Sequence, residues 1–196
     1  MRLHPEMGNR TNETNICDCM GGEIHILAFD IEHEPKEISA AALNRLWDVC
    51  FDTCDTFSLT GHPWIGQDGA LERALATFTA HRFDTLHWFC YYVLEENPLH
   101  VRIYPLHEQT KKILRVHYRG LFLDDWGDSR RKWRPSLEDI CFFRNGKLLL
   151  GTVSHEHICA AYPEDDKALA QRFKDAVPGW EESDRYAKEQ ITLPRF

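Results

Sequence analysis

The sequence has no apolar run long enough to cross a bilayer. Its longest, Leu86–Leu94, is interrupted by His87 and falls far short of the roughly 20 residues a membrane helix needs. Positive charge is also short: 23 Lys+Arg stand against 31 Asp+Glu, a formal net charge of −8. General nucleic-acid binding and adhesion to anionic membranes both need a basic surplus, so neither is expected. Met1–Gly8 carries no apolar stretch of the kind a secretory leader uses, which predicts a cytoplasmic protein. In that setting the seven cysteines, an odd number spread along the chain, read as reduced thiols rather than a disulfide framework. The Asn-x-Thr triplets at Asn9 and Asn12 then read as chance matches.

Catalytic signatures are missing too. There is no Gly-x-Ser-x-Gly, no Walker loop, no Gly-x-Gly-x-x-Gly and no kinase motif set, so no cofactor is expected. A helical zinc-protease motif is excluded at His155-Glu156, because Ile158 and Cys159 follow His157. A Cys–His catalytic pair stays open, with seven Cys and eleven His in the chain, although no thiol is marked as activated.

What is present is enough for one self-sufficient core. A chain of 196 residues with 6 Trp, 6 Tyr and 11 Phe most simply makes a single domain. Residues 1–20 are polar and aperiodic and read as a flexible arm, leaving 21–196 as the domain. Glu23–Ile31 reads as a strand. Leu43, Leu46, Trp47, Cys50, Phe51, Cys54 and Phe57 recur at helical spacing, behind Ser39 as N-cap and before Gly61 and Pro63 as breakers. A second helix is predicted from Asp68 to about Arg82, with Leu59–Gly69 as the loop between the two.

Strands are then expected at Leu86–Leu94, Val101–Tyr104, Lys112–Leu123, Leu137–Arg144, Lys147–Val153 and Ile158–Tyr162. Asn145-Gly146 between two apolar runs predicts a two-residue type I′ hairpin, whose turn residues both take positive φ. A last helix is expected over Glu164–Val177, and a short one after Trp180. The predicted class is α+β: a mainly antiparallel meander of six to seven strands, packed by two N-terminal helices and one C-terminal helix.

Four groups of residues are candidates for chemistry. If Val101–Tyr104 and Ile113–Arg119 pair as a hairpin, His100, Arg102, Arg115, His117 and Arg119 share one face and form an anion site. Arg102 would then face Arg115. Like charges opposed on a sheet destabilise it, so an acidic group must neutralise this face. His155 and His157, two apart on a strand, could share a metal ion. Cys17, Cys19, Cys50 and Cys54 have poor zinc spacing, since Cys50 and Cys54 lie on the apolar face of the first helix. Asp124, Asp125 and Asp128 form an acidic cluster in a long connection before a basic run, suited to a protein partner or Mg²⁺. Acidity and the lack of catalytic motifs favour a non-enzymatic protein-binding module, for example an immunity or antitoxin-type inhibitor of a basic toxin. The alternatives are a metal-dependent or acid–base hydrolase on His155-Glu156-His157, and a small-anion binder on the Arg102/Arg115 face.

Overall fold

A computed structural model of the chain describes residues 27–30, 38–61, 69–122 and 136–195. The elements run β1 (Leu27–Asp30), α1 (Ala40–Thr53), β2 (Thr56–Gly61), α2 (Ala70–Leu75), β3 (His81–Thr85), β4 (His87–Trp88), β5 (Tyr91–Tyr92), β6 (Leu99–Pro105), α3 (Glu108–His117), β7 (Glu138–Arg144), β8 (Lys147–Val153), β9 (Ile158–Ala161), α4 (Lys167–Ala176) and β10 (Glu181–Glu182). Single 3₁₀ turns lie at Ala76–Phe78, Ser154–Glu156 and Ala187–Glu189. The class is α+β. One sheet has the order β10-β1-β9-β8-β7-β2-β6-β3, and β4 pairs with β5 as a separate small hairpin. Every pairing is antiparallel. β7, β8 and β9 form the expected meander, while β2 and β1 come in from earlier in the chain. No helix among the described residues is long and apolar enough to cross a membrane.

Local chemistry accounts for most boundaries. The Ser39 hydroxyl accepts the Ala42 N–H at 3.2 Å and starts α1, satisfying one of the orphan donors of its first turn. Asp166 does the same for α4, accepting the Leu169 N–H at 2.9 Å. In the β7–β8 turn Asn145 and Gly146 have φ of 52° and 77°, as a type I′ hairpin requires.

Several elements differ from the sequence reading. Over its described residues, 112–122, the expected strand Lys112–Leu123 is not a strand: Glu108–His117 is helix α3. His107 accepts the Thr110 N–H through its ring, and the Thr110 hydroxyl bonds the His107 N–H in return, a capping box. Thr110 and Leu114 then fall one turn apart on the buried side. The second difference is that α1 ends at Thr53, and Thr56–Gly61 becomes a central strand. Phe57, Ser58, Leu59 and Thr60 are all buried, so a strand covered on both faces loses its alternation and resembles a helix continuation. The helix expected to reach Arg82 likewise stops at Phe78, and His81–Thr85 is an outer strand.

The sheet divides two apolar layers. Ile140 and Phe142 of β7 join α1 and α4 through Leu46, Trp47, Phe51 and Phe173. Cys141 and Phe143 point the other way, to Trp88, Phe89, Val101 and Tyr162, as the two-residue period of a strand dictates. Phe89 lies flat on Gly151: a Cβ built there would sit 2.8 Å from the ring. The hairpin carrying Phe89 can therefore close on the sheet only over a residue without a side chain.

Candidate metal centre

β7 does not begin as a regular strand. Ser58 pairs with Cys141, but two residues on, Thr60 pairs with Glu138, three residues back. One extra residue is thus inserted in β7, and Asp139 sits there in the left-handed region at φ 50°. Such a bulge turns side chains away from the pleat and is common beside functional sites. It is fixed by the Asp139 carboxylate, which accepts the Ser154 N–H at 2.6 Å and the Thr60 hydroxyl at 3.0 Å. The Asp139 N–H donates in turn to the Ser154 hydroxyl at 3.3 Å. Tyr118 stands 3.4 Å from that same hydroxyl.

The bulge sets two consecutive carboxylates beside the turn that ends β8. Glu138 is 1% exposed and Asp139 3%. His155, in the 3₁₀ turn, has a side chain 9% exposed, with Nδ1 4.0 Å from Glu138 Oε1. Ligand atoms of Glu138, Asp139 and His155 all lie within 4.8 Å of one another. Ligands on a tetrahedral ion at about 2.1 Å are roughly 3.4 Å apart, so a modest inward movement of these side chains closes the set. Glu156 Oε1 stands 3.9 Å from Nε2 of His155, placing a carboxylate on the far side of the ring, where one orients a metal-bound imidazole. The Tyr91 ring meets the His155 ring edge-on at 4.6 Å.

Burial dominates the electrostatics here. Removal from water, with Asp139 alongside, pushes the Glu138 carboxyl up to about 9, so without a cation it holds its proton at neutral pH. Desolvation, then the Asp139, Glu138 and Glu156 charges, raise Tyr91. Burial likewise raises Tyr118 despite its bond to Ser154.

The other sequence candidates go elsewhere. The basic stripe is dissolved, because Arg115, His117 and Arg119 belong to α3 or follow it and do not face β6. Arg115 donates to Asp48 at 2.5 Å and to Asn44 at 3.1 Å, with its guanidinium 5.0 Å from the Phe51 ring centre. Arg119 donates to the Val116 carbonyl at 3.2 Å. On β6, His100 lies 2.7 Å from Asp84 and Arg102 lies 2.5 Å from Glu72. The opposed arginines on the sheet are Arg102 and Arg82, and Glu72 is the acid that neutralises them. Burial works to raise the Glu72 carboxyl, but the hydrogen bond from Arg102 and the charges of Arg102 and Arg82 leave it lowered.

His155 and His157 do not share a strand. The first is in the 3₁₀ turn, and the second is left-handed at φ 55°, with its ring edge-on to Phe122 at 5.7 Å. Asp124, Asp125 and Asp128, the arm 1–20, Cys17 and Cys19 lie outside the described residues. Burial raises all five described thiols, Cys50, Cys54, Cys90, Cys141 and Cys159, above their ordinary value, so none of them is an activated nucleophile at neutral pH.

The sequence reading missed Glu138 and Asp139. The signal was two adjacent acids inside a segment otherwise reading as a buried strand, where at least one must face the interior. No family model, no curated protein and no solved structure matches this chain.

Proposed function

We propose that this protein is a divalent-cation-dependent hydrolase whose metal centre is formed by Glu138, Asp139 and His155. One observation carries the reading: a strand bulge and a 3₁₀ turn bring two carboxylates and an imidazole together in a site almost closed to solvent. Two oxygens and one nitrogen suit Zn²⁺ or Mn²⁺. Three protein groups leave a position for water, whose pKa such an ion lowers toward neutrality, supplying hydroxide for attack on an ester, amide or phosphoester. Glu156 supplies a carboxylate 3.9 Å from the imidazole Nε2, and the Ser154 N–H and Thr60 hydroxyl hold the Asp139 carboxylate. The direct test is titration of chelator-treated protein with Zn²⁺ and Mn²⁺, followed by hydrolysis assays on nitrophenyl esters and phosphoesters. Saturable binding that H155A abolishes, with activity dependent on the added ion, is the expected result. Wild-type protein that takes up neither ion refutes the reading.

A protein-binding module, for instance an immunity or antitoxin-type inhibitor, is the second reading. It is favoured by the β4–β5 hairpin and its flanks, where Leu86, Tyr92 and Leu94 are 40%, 65% and 74% exposed. Three large apolar side chains in nine residues form the kind of patch that a partner covers. Loss of a co-purifying protein in a Tyr92→Ser, Leu94→Ser variant supports this reading, and retention of that protein counts against it.

A further inference from the structure

At the other end of β7, six strand steps or roughly 20 Å from Glu138, lies a cavity of about 480 Å³. That is the size of a small-metabolite pocket. Its lining includes Arg144, Asn145, Lys147, Tyr162, Glu164 and Gln190. The turn that makes the hairpin also makes the charge pattern. Arg144 and Lys147 are direct cross-strand partners on either side of Asn145-Gly146, and like charges so placed destabilise a sheet unless an anion answers them.

The protein's own anions answer Lys147 closely and Arg144 only at longer range. Glu164 contacts the Lys147 ammonium but stands 4.0 Å from Arg144. Asp166 also stands 4.0 Å from Arg144 through Oδ2, while its Oδ1 caps α4. Both distances exceed the 2.7–2.9 Å of a charge-assisted hydrogen bond, so the Arg144 guanidinium bonds to neither acid. Its side chain is 31% exposed and its planar fork is suited to a bidentate oxyanion. Glu164 holds its place at φ 55°, in a left-handed conformation unfavourable for any residue with a side chain, and such strain gathers at ligand sites. Tyr162 is a fixed wall, its hydroxyl donating to the Tyr186 carbonyl at 2.8 Å. Gln190 is tied to the Leu148 carbonyl at 2.9 Å.

We propose that this cavity binds a small molecule carrying one oxyanion group next to a hydrogen-bond donor. The oxyanion, carboxylate or phosphate, takes the Arg144 fork and the Lys147 ammonium, and the donor is accepted by Glu164. Glu164 and Asp166 already balance Arg144 and Lys147 in charge, so what an oxyanion gains here is the hydrogen bonds of an Arg144 fork that neither acid reaches. The experiment is a titration of ¹⁵N-labelled protein with glycine, glycerol phosphate and acetate, followed through the Arg144 side chain, the Gln190 amide and the Gly146 N–H. Saturable shifts with glycine identify a carboxylate source, and with glycerol phosphate a phosphate source. Acetate, which lacks the donor, binds more weakly than glycine. Arg144→Gln lowers affinity by about tenfold or more, the loss of a bidentate charged contact, and Lys147→Gln, on an exposed side chain, lowers it severalfold. Neither glycine nor glycerol phosphate producing a saturable shift overturns the proposal, as does equal affinity in both variants and wild type.

Discussion

The bulge at Asp139 makes a sharp prediction about three substitutions at one position. Asp139 has φ 50° and is 3% exposed, with its carboxylate on the Ser154 N–H and the Thr60 hydroxyl. In Asp139→Ala the buried Ser154 N–H loses its acceptor, at a cost of about 1–3 kcal/mol. Alanine must also hold a left-handed backbone, at about 1–2 kcal/mol more. Together these make the loss about 2–5 kcal/mol. Asp139→Gly loses the same hydrogen bonds but is at ease at this φ, so it is less destabilised than alanine by about 1 kcal/mol. Asp139→Asn keeps an oxygen for Ser154 and tolerates the left-handed region, so only the charge assistance is lost, about 1 kcal/mol. Urea denaturation of metal-free protein should give the order asparagine, glycine, alanine from most to least stable. An alanine variant as stable as the asparagine variant would show that the carboxylate does not hold the bulge. Glycine falling below alanine would refute the backbone argument.

Other expectations follow from the same packing and charges. In chelator-treated protein, Glu138 holds a proton in the folded state up to about 9, against an ordinary 4.5. Between those values the folded state binds more protons than the unfolded one, so stability is greatest below pH 4.5 for this group and is lost as pH rises toward 9. The slope approaches about 1.4 kcal/mol per pH unit. Glu138→Gln should flatten this dependence in a pH series of denaturant melts, and an unchanged slope would rule Glu138 out as its source. Gly151→Ala pushes a methyl group into Phe89 and should cost about 1–3 kcal/mol, read from the shift in denaturation midpoint; a neutral result would mean the hairpin does not rest there. Glu72→Gln leaves Arg102 facing Arg82 and should lower stability by up to about 1 kcal/mol, given how exposed Glu72 is. Adding Arg82→Gln should recover part of that loss, and no recovery would mean that the two arginines do not repel.

The fold was legible where local chemistry and burial agree. Ser39, the Asn145-Gly146 turn and the apolar stripe of α1 each state one structure at close range. Reading failed where burial on both faces erased periodicity, as at Phe57–Thr60. It also failed where a cap outweighed propensity: β-branched Ile113 and Val116 suggested a strand, but His107 and Thr110 start a helix. Losing that strand dissolved the basic stripe, since its register depended on it. The need for a neutralising acid survived, met by Glu72 against a different pair of arginines. His155 was visible as a metal-ligand candidate, but its companions were not. Glu138 and Asp139 reach it only through a one-residue bulge, and a sequence pattern does not reveal an inserted residue in a strand.

Metal content measured on untagged protein tests the central claim most directly. The wild-type chain, purified without chelator and dialysed exhaustively, should retain close to one equivalent of zinc or manganese. Asp139→Asn and His155→Ala, folded by circular dichroism, should retain almost none. Substoichiometric metal in the wild type, even after reloading with either ion, would contradict the account and leave Glu138, Asp139 and His155 as a buried structural cluster.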